Sequence, residues 1–102
     1  MIRILWEFDV QADRVDEFLR HYSSEGTWAQ LFRQSSAFKG TRLIQDVALP
    51  LRFITIDEWE DQSGFEDFKR AFQSDYTALD RSCEALTQSE HLIGIFETTS
   101  LE

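Results

Sequence analysis

The opening decapeptide, MIRILWEFDV, sets the tightest limit on what this chain can fold into. Ile2, Ile4, Trp6 and Phe8 fall on one parity, and Arg3, Leu5 and Glu7 on the other. Side chains alternate between faces along a strand, so this period-two pattern reads as a β-strand with one strongly apolar face. Leu5 carries apolar surface onto the second face as well. The same double-sidedness returns in RFITIDEW. There Phe53, Thr55, Asp57 and Trp59 share one parity, while Arg52, Ile54, Ile56 and Glu58 share the other. A chain of 102 residues supports one domain with a modest core. Few elements are therefore left to cover two apolar sheet faces.

Helical spacing fills the intervals. Val15, Phe18, Leu19 and Tyr22 recur at three- and four-residue steps, which makes one buried stripe. Asp13, Asp16 and Glu17 lie in its first turns, where carboxylates favour the amino end. In GTWAQLFRQSS, Thr27 and Gln30 have the form of a capping box, and Trp28, Leu31 and Phe32 share a face of the short helix that follows. Thr41, Leu43, Gln45 and Val47 then alternate with Arg42, Ile44 and Asp46 as a second strand. Pro50 cannot donate to a ladder and belongs in the connection to the third. Phe65, Phe68, Phe72, Tyr76, Leu79, Cys83 and Leu86 continue one helical stripe. Ser74 and Asp75 compete for backbone hydrogen bonds, which predicts a joint there between a shorter and a longer helix. HLIGIFET reads as the closing strand.

Strand, helix, strand, strand, helix, strand is a split βαβ unit repeated. It predicts an α+β, ferredoxin-like sandwich with an antiparallel sheet over residues 1–100; Leu101 and Glu102 read as the remnant of an expression vector. Helices cover one face of such a sheet. A second copy of the chain is the simplest cover for the other, so a homodimer packed sheet against sheet is expected.

Charge and motif content remove several function classes. The net charge is −9, and the ten Lys and Arg residues are scattered singly, which disfavours nucleic-acid phosphates as partners. No apolar run approaches the roughly 20 residues that span a bilayer, and no basic and apolar leader opens the chain. A lone cysteine builds no intrachain disulfide framework, so a cytoplasmic protein without membrane attachment is expected. Gly26, Gly40, Gly64 and Gly94 stand apart and form no phosphate-binding phrase, so no cofactor is predicted. His21 and His91 are distant from each other and from any Cys/His/carboxylate cluster, so no metal is predicted either.

With the elements in order, GTWAQLFRQSSAFKGTRLIQD, FITIDEWED with SGFEDFK, and YTALDRSCEAL with HLIGIFE resemble the antibiotic biosynthesis monooxygenase family of dimeric α/β barrels, over nearly the whole chain. The resemblance implies a pocket between sheet and helices of one subunit. It leaves the chemistry open, because the superfamily includes cofactor-independent oxygenases of quinone pathways, heme-degrading enzymes and members without assigned chemistry. The heme-degrading branch carries a tryptophan where Phe68 stands and a histidine about ten residues later; here that position is Ala78, beside Tyr76 and Thr77. Its first-strand asparagine is also missing, since ILWEF offers only Glu7.

The quinone-forming branch uses a tryptophan, an asparagine, a tyrosine and an arginine, a set this chain matches only in part. The resemblance suggests Tyr22, Tyr76 and Arg81 as hydrogen-bond donors to a developing oxyanion, with Trp6, Trp28 and Phe68 as apolar walls. His21, late in the first helix, is a candidate for the pocket mouth; the alternative is an exposed histidine favoured by the helix carboxyl end. Asp57 and Glu7 are carboxylates on otherwise apolar strands, where burial would raise the pKa towards use as a base. For both, the alternative is a rim position or a pair with Arg52 or Arg81. The expected function is oxidation of a small aromatic or polycyclic phenol or hydroquinone by molecular oxygen without metal or prosthetic group. The alternative is a noncatalytic binding or structural member of the same fold.

Overall fold

A computed structural model describes residues 1–102. In chain order it contains β1 (Ile2–Val10), α1 (Val15–Tyr22), α2 (Thr27–Phe32), β2 (Phe38–Gln45), β3 (Arg52–Trp59), α3 (Gln62–Ala71), α4 (Gln73–Cys83), a 3₁₀ turn (Glu84–Leu86) and β4 (Thr87–Glu97). The strands form one sheet in the order β2-β3-β1-β4, with every neighbouring pair antiparallel. This is the predicted ferredoxin-like α+β sandwich.

The parity of the opening strand decides which face is covered. Ile2, Ile4, Phe8 and Val10 are buried, together with Phe53, Thr55 and Trp59 of β3. The helices bring Phe18, Tyr22, Trp28, Phe32, Phe68 and Cys83 onto them, and the 3₁₀ turn adds Leu86. Aromatic rings dominate the packing. Phe8, Phe18 and Tyr22 meet at one end, and Trp59 is ringed by Phe32, Phe38, Phe65 and Phe68 at the other.

Three local expectations are corrected. The cap of α2 is Gly26, with no side-chain capping bond. Gly26 is packed so tightly that a Cβ would lie 2.7 Å from the carbonyl oxygens of Arg20 and His21. A side chain is excluded there, and the helix opens at Thr27 itself, one residue earlier than a Thr27 cap would place it. The joint between α3 and α4 falls at Phe72, with φ −116° and ψ 28°, not at Ser74-Asp75. Phe72 leaves the helical region while its ring stacks on Phe68, so core packing fixes the break. Val47 lies beyond β2 and is fully exposed, because Asp46 turns the chain by accepting from the Ala48 and Leu49 amides.

The other sheet face carries Leu5, Ile54 and Ile56, half-buried, with Ile44 and Phe96 exposed beside them. Arg3 pairs with Glu58 at 2.9 Å, and Arg52 bridges Glu7 at 2.7 Å and Asp46 at 3.0 Å. No helix is long and apolar enough to cross a membrane.

Candidate functional site

The sandwich is not filled throughout. Along β3 the inward residues run Phe53, Thr55, Asp57, Trp59, with bulky rings at the ends and short side chains between them. Thr41 of β2 pairs with Asp57, and Trp6 of β1 pairs with Thr55. Above this shallow stretch a cavity of about 210 Å³ remains. Its floor is Thr41, Thr55, Asp57, Trp6, Phe8 and, from β4, Glu90. Its roof is Tyr22 of α1, Trp28 and Phe32 of α2, Lys69 of α3, and Tyr76 and Asp80 of α4.

Asp57 is the chemically distinctive group. Thr41 Oγ1 donates to Asp57 Oδ1, and no other group of the chain hydrogen-bonds this carboxylate. Burial pushes its pKa up to about 6, against the smaller opposing effect of the Thr41 hydrogen bond. No arginine reaches it. Its counterpart Glu7 has the opposite fate: it lies on the other sheet face, where the hydrogen bond from Arg52 holds its pKa below the usual carboxylate range.

Two tyrosines and a lysine complete the polar inventory. Tyr76 is pushed up to about 12 by burial first, then by the charges of Asp80, Asp57 and Glu90. Tyr22 is raised further, mainly by burial. Both stay protonated at neutral pH and act as neutral hydroxyls. Lys69 Nζ lies 5.0 Å from the Tyr76 ring centre and 5.6 Å from that of Phe65, which is cation–π range. Glu90 is raised by burial and by the nearby Asp80 and Glu84.

Of the residues expected from sequence, Trp6, Tyr22, Trp28, Asp57 and Tyr76 line the cavity together. Phe68 does not. It is 2% exposed, packed among Phe32, Trp59 and Phe72 behind the wall. His21 is half-buried with Nδ1 3.0 Å from Thr27 Oγ1, outside the lining. Arg81 is exposed on α4. Tyr76 and Asp80 are four residues apart and share a helix face, while residue 81 is turned about 100° away.

Sequence reasoning missed Thr41, Thr55, Lys69, Asp80 and Glu90. The i,i+4 spacing from Tyr76 was the available signal for Asp80. Glu90 was missed because the closing strand was begun at His91; β4 starts at Thr87, and its Glu90 pairs with the inward Phe8. Thr41 and Thr55 carry no signal except their smallness on an inward parity. No three His, Cys, Asp or Glu side chains converge as metal ligands would.

No protein-family model matches the chain, and no curated protein matches it by sequence. Solved structures do match its fold. A Deinococcus radiodurans protein provisionally named an antibiotic biosynthesis monooxygenase has a TM-score of 0.76 at 15% identity, covering 98% of this chain and 94% of that one. SnoaB from Streptomyces nogalater, a cofactor-independent oxygenase, has a TM-score of 0.72 at 18% identity, covering 97% and 93%. PA3566 from Pseudomonas aeruginosa has a TM-score of 0.70 at 16% identity, covering 97% and 94%. The chain thus has the fold of the antibiotic biosynthesis monooxygenases, at identities that speak to architecture alone.

Proposed function

We propose that this chain is an oxygenase that converts a small phenol or hydroquinone with molecular oxygen, using no metal or prosthetic group. The observation that carries the reading is Asp57: a desolvated carboxylate with one oxygen unpartnered, set in the floor of an aromatic-walled cavity. A pKa of about 6 leaves it ionised at neutral pH yet basic enough to take a phenolic proton, the balance general-base catalysis requires. The fold shared with SnoaB, a cofactor-independent oxygenase, supports the same reading.

In this scheme Asp57 accepts the substrate hydroxyl proton and the phenolate passes one electron to oxygen. The resulting superoxide and phenoxyl radical join at a ring carbon that bears hydrogen, ortho to the hydroxyl or, where it is unsubstituted, para to it, forming one C–O bond. Cleavage of the O–O bond gives the quinone, with the C–H proton ending on the leaving oxygen as hydroxide. The leaving hydroxide takes a proton from Asp57 and departs as water. One oxygen atom ends in the quinone and the other in water, so the substrate supplies all four electrons. Tyr76 donates a hydrogen bond and Lys69 a positive charge to the phenolate, while the rings of Trp6 and Trp28 exclude water.

Size narrows the substrate. An apolar cavity of about 150 Å³ holds benzene, so about 210 Å³ suits one or two rings better than a polycycle. Oxygen uptake with simple hydroquinones and naphthols, compared with anthrones, tests this. Asp57→Asn should lower uptake by about 100-fold or more, the usual worth of a general base. Unchanged uptake in that variant would remove Asp57 from the scheme, and binding without any uptake would leave a noncatalytic binding protein.

The active form in this reading is a homodimer, joined through the sheet face that bears Leu5, Ile54, Ile56 and Phe96. Apolar surface unclaimed by the chain's own helices supports it. Sedimentation of the wild type should give twice the monomer mass, and Ile54→Glu should shift it to monomer. A wild-type monomer at high micromolar concentration would end the dimer reading.

A further inference from the structure

The cavity is not electrically uniform, and the asymmetry bears on what it accepts. Asp57 stands level with Ile4 on β3, and Glu90 stands level with Phe8 on β4. With about 4.8 Å between strands and about 3.4 Å per residue, their backbones lie roughly 17 Å apart across the sheet diagonal. Tyr76 sits over the middle and responds to the charges of Asp57, Asp80 and Glu90 alike. The Asp57 end also holds Thr41, while Lys69 lies over the rings of Tyr76 and Phe65 and forms no ion pair. The far end holds Asp80 and Glu90 with Glu84 behind them, and none of these three carboxylates takes part in an ion pair.

One end therefore holds a single carboxylate hydrogen-bonded by Thr41, and the other holds two lining carboxylates that no side chain pairs with. Between them the walls are the π faces of Trp6, Trp28 and Tyr76, which attract cations. Lys69 already demonstrates the preference, since the chain's own ammonium lies against the outer ring. An anion entering this cavity would meet three lining carboxylates and one lysine. A cation of the right length would find unpaired acid at the Asp80–Glu90 end while its ring fills the space towards Asp57.

We propose that the cavity selects a phenol bearing a protonated amine on a short arm, with the hydroxyl at Asp57 and the ammonium at Asp80 and Glu90. This rests on the reading of Asp57 as the phenol-facing base and names the substrate class for that site. Asp80 and Glu90 are specificity residues that touch the ligand's ammonium and take no part in oxygen chemistry.

Titration calorimetry with three phenols of one scaffold tests the inference without relying on turnover. Tyramine, 4-ethylphenol and 3-(4-hydroxyphenyl)propionate present an ammonium, no charge and a carboxylate at the same place. Tyramine should bind about tenfold more tightly than 4-ethylphenol, from two carboxylates at close range partly screened by water, and the propionate should bind weakest. Asp80→Asn with Glu90→Gln should bring tyramine to the level of 4-ethylphenol and leave 4-ethylphenol unchanged, whereas Lys69→Met should tighten tyramine. If wild type binds 4-ethylphenol as tightly as tyramine, or if the preference survives the double substitution, the inference is overturned. Oxygen uptake separates the two claims. Turnover of 4-ethylphenol with no ammonium preference sinks the specificity and spares the oxygenase, while tight tyramine binding with no uptake of oxygen by any phenol does the reverse.

Discussion

The two halves of the core are built from the same kinds of residue and end differently. Around Trp59 the rings of Phe32, Phe38, Phe65 and Phe68 stand with centroids 5.1 to 5.3 Å away, and Trp59 has no exposed surface. Around Trp28 the rings of Tyr22, Phe32 and Tyr76 stand at 5.0 to 6.2 Å, and the cavity begins beyond them. Both indole N–H groups are buried without a hydrogen-bond partner, so polar satisfaction does not distinguish the halves. What differs is the strand beneath. Where β3 supplies Trp59 and β2 supplies Phe38, rings meet rings; where they supply Thr55, Asp57 and Thr41, the rings above have nothing to close on. Aromatic content makes a core, and the short side chains opposite it make a site.

Truncating each half is the most forceful way to break this comparison. Trp59→Ala should cost about 3–5 kcal/mol of stability, the range for deleting a large aromatic from a packed core. Trp6→Ala removes a half-buried ring whose inner side already borders empty space, so about half that cost or less is expected. Ligand binding should rank the two the other way, with Trp6→Ala the more damaging. Denaturant unfolding of both variants at one protein concentration gives the answer. Equal losses of stability would mean that the cavity wall is packed as tightly as the closed end.

The sequence exposes one half of this molecule far better than the other. Strand parity, helical stripes and their order are long periodic signals, and they suffice for the sheet and the sequence of its elements. The hollow half depends on features with no period. Thr55 is an ordinary strand residue until its neighbours across the sheet are known. Glu90 needed the register of β4 against β1, which no local pattern fixes. Arg81 suits the role the family resemblance suggests, while helix geometry turns Asp80 and not Arg81 towards Tyr76. Likewise Thr27 looked like a cap because a hydroxyl followed by Gln30 suits one; the close approach of Gly26 to the end of α1 is a tertiary fact. Asp57 was legible as a carboxylate on an apolar strand, and Glu7 equally so. Only the position of Arg52 tells which of them is paired.

A smaller effect sharpens the comparison, because the hollow half alone contains a carboxylate that folding holds against its preference. Burial raises Asp57 from an ordinary 3.8 to about 6. Between those values the folded chain binds more protons than the unfolded one, so stability attributable to Asp57 falls as pH rises through that window. Two pH units at about 1.4 kcal/mol each bound the cost, and solvent reaching the group through the cavity lowers it to about 1–2 kcal/mol. Glu7 and Asp46, held low by hydrogen bonds from Arg52 and the Ala48 amide, titrate with the opposite sign and would mask the effect in wild type alone. The difference between wild type and Asp57→Asn cancels them. Asn keeps an oxygen for Thr41 and carries no charge, so the variant should match wild type near pH 4 and exceed its stability progressively up to pH 7. Two unfolding curves that run parallel from pH 4 to pH 7 would mean that Asp57 is solvated like a surface carboxylate, and the hollow half would then lack the one group that separates it chemically from the closed one.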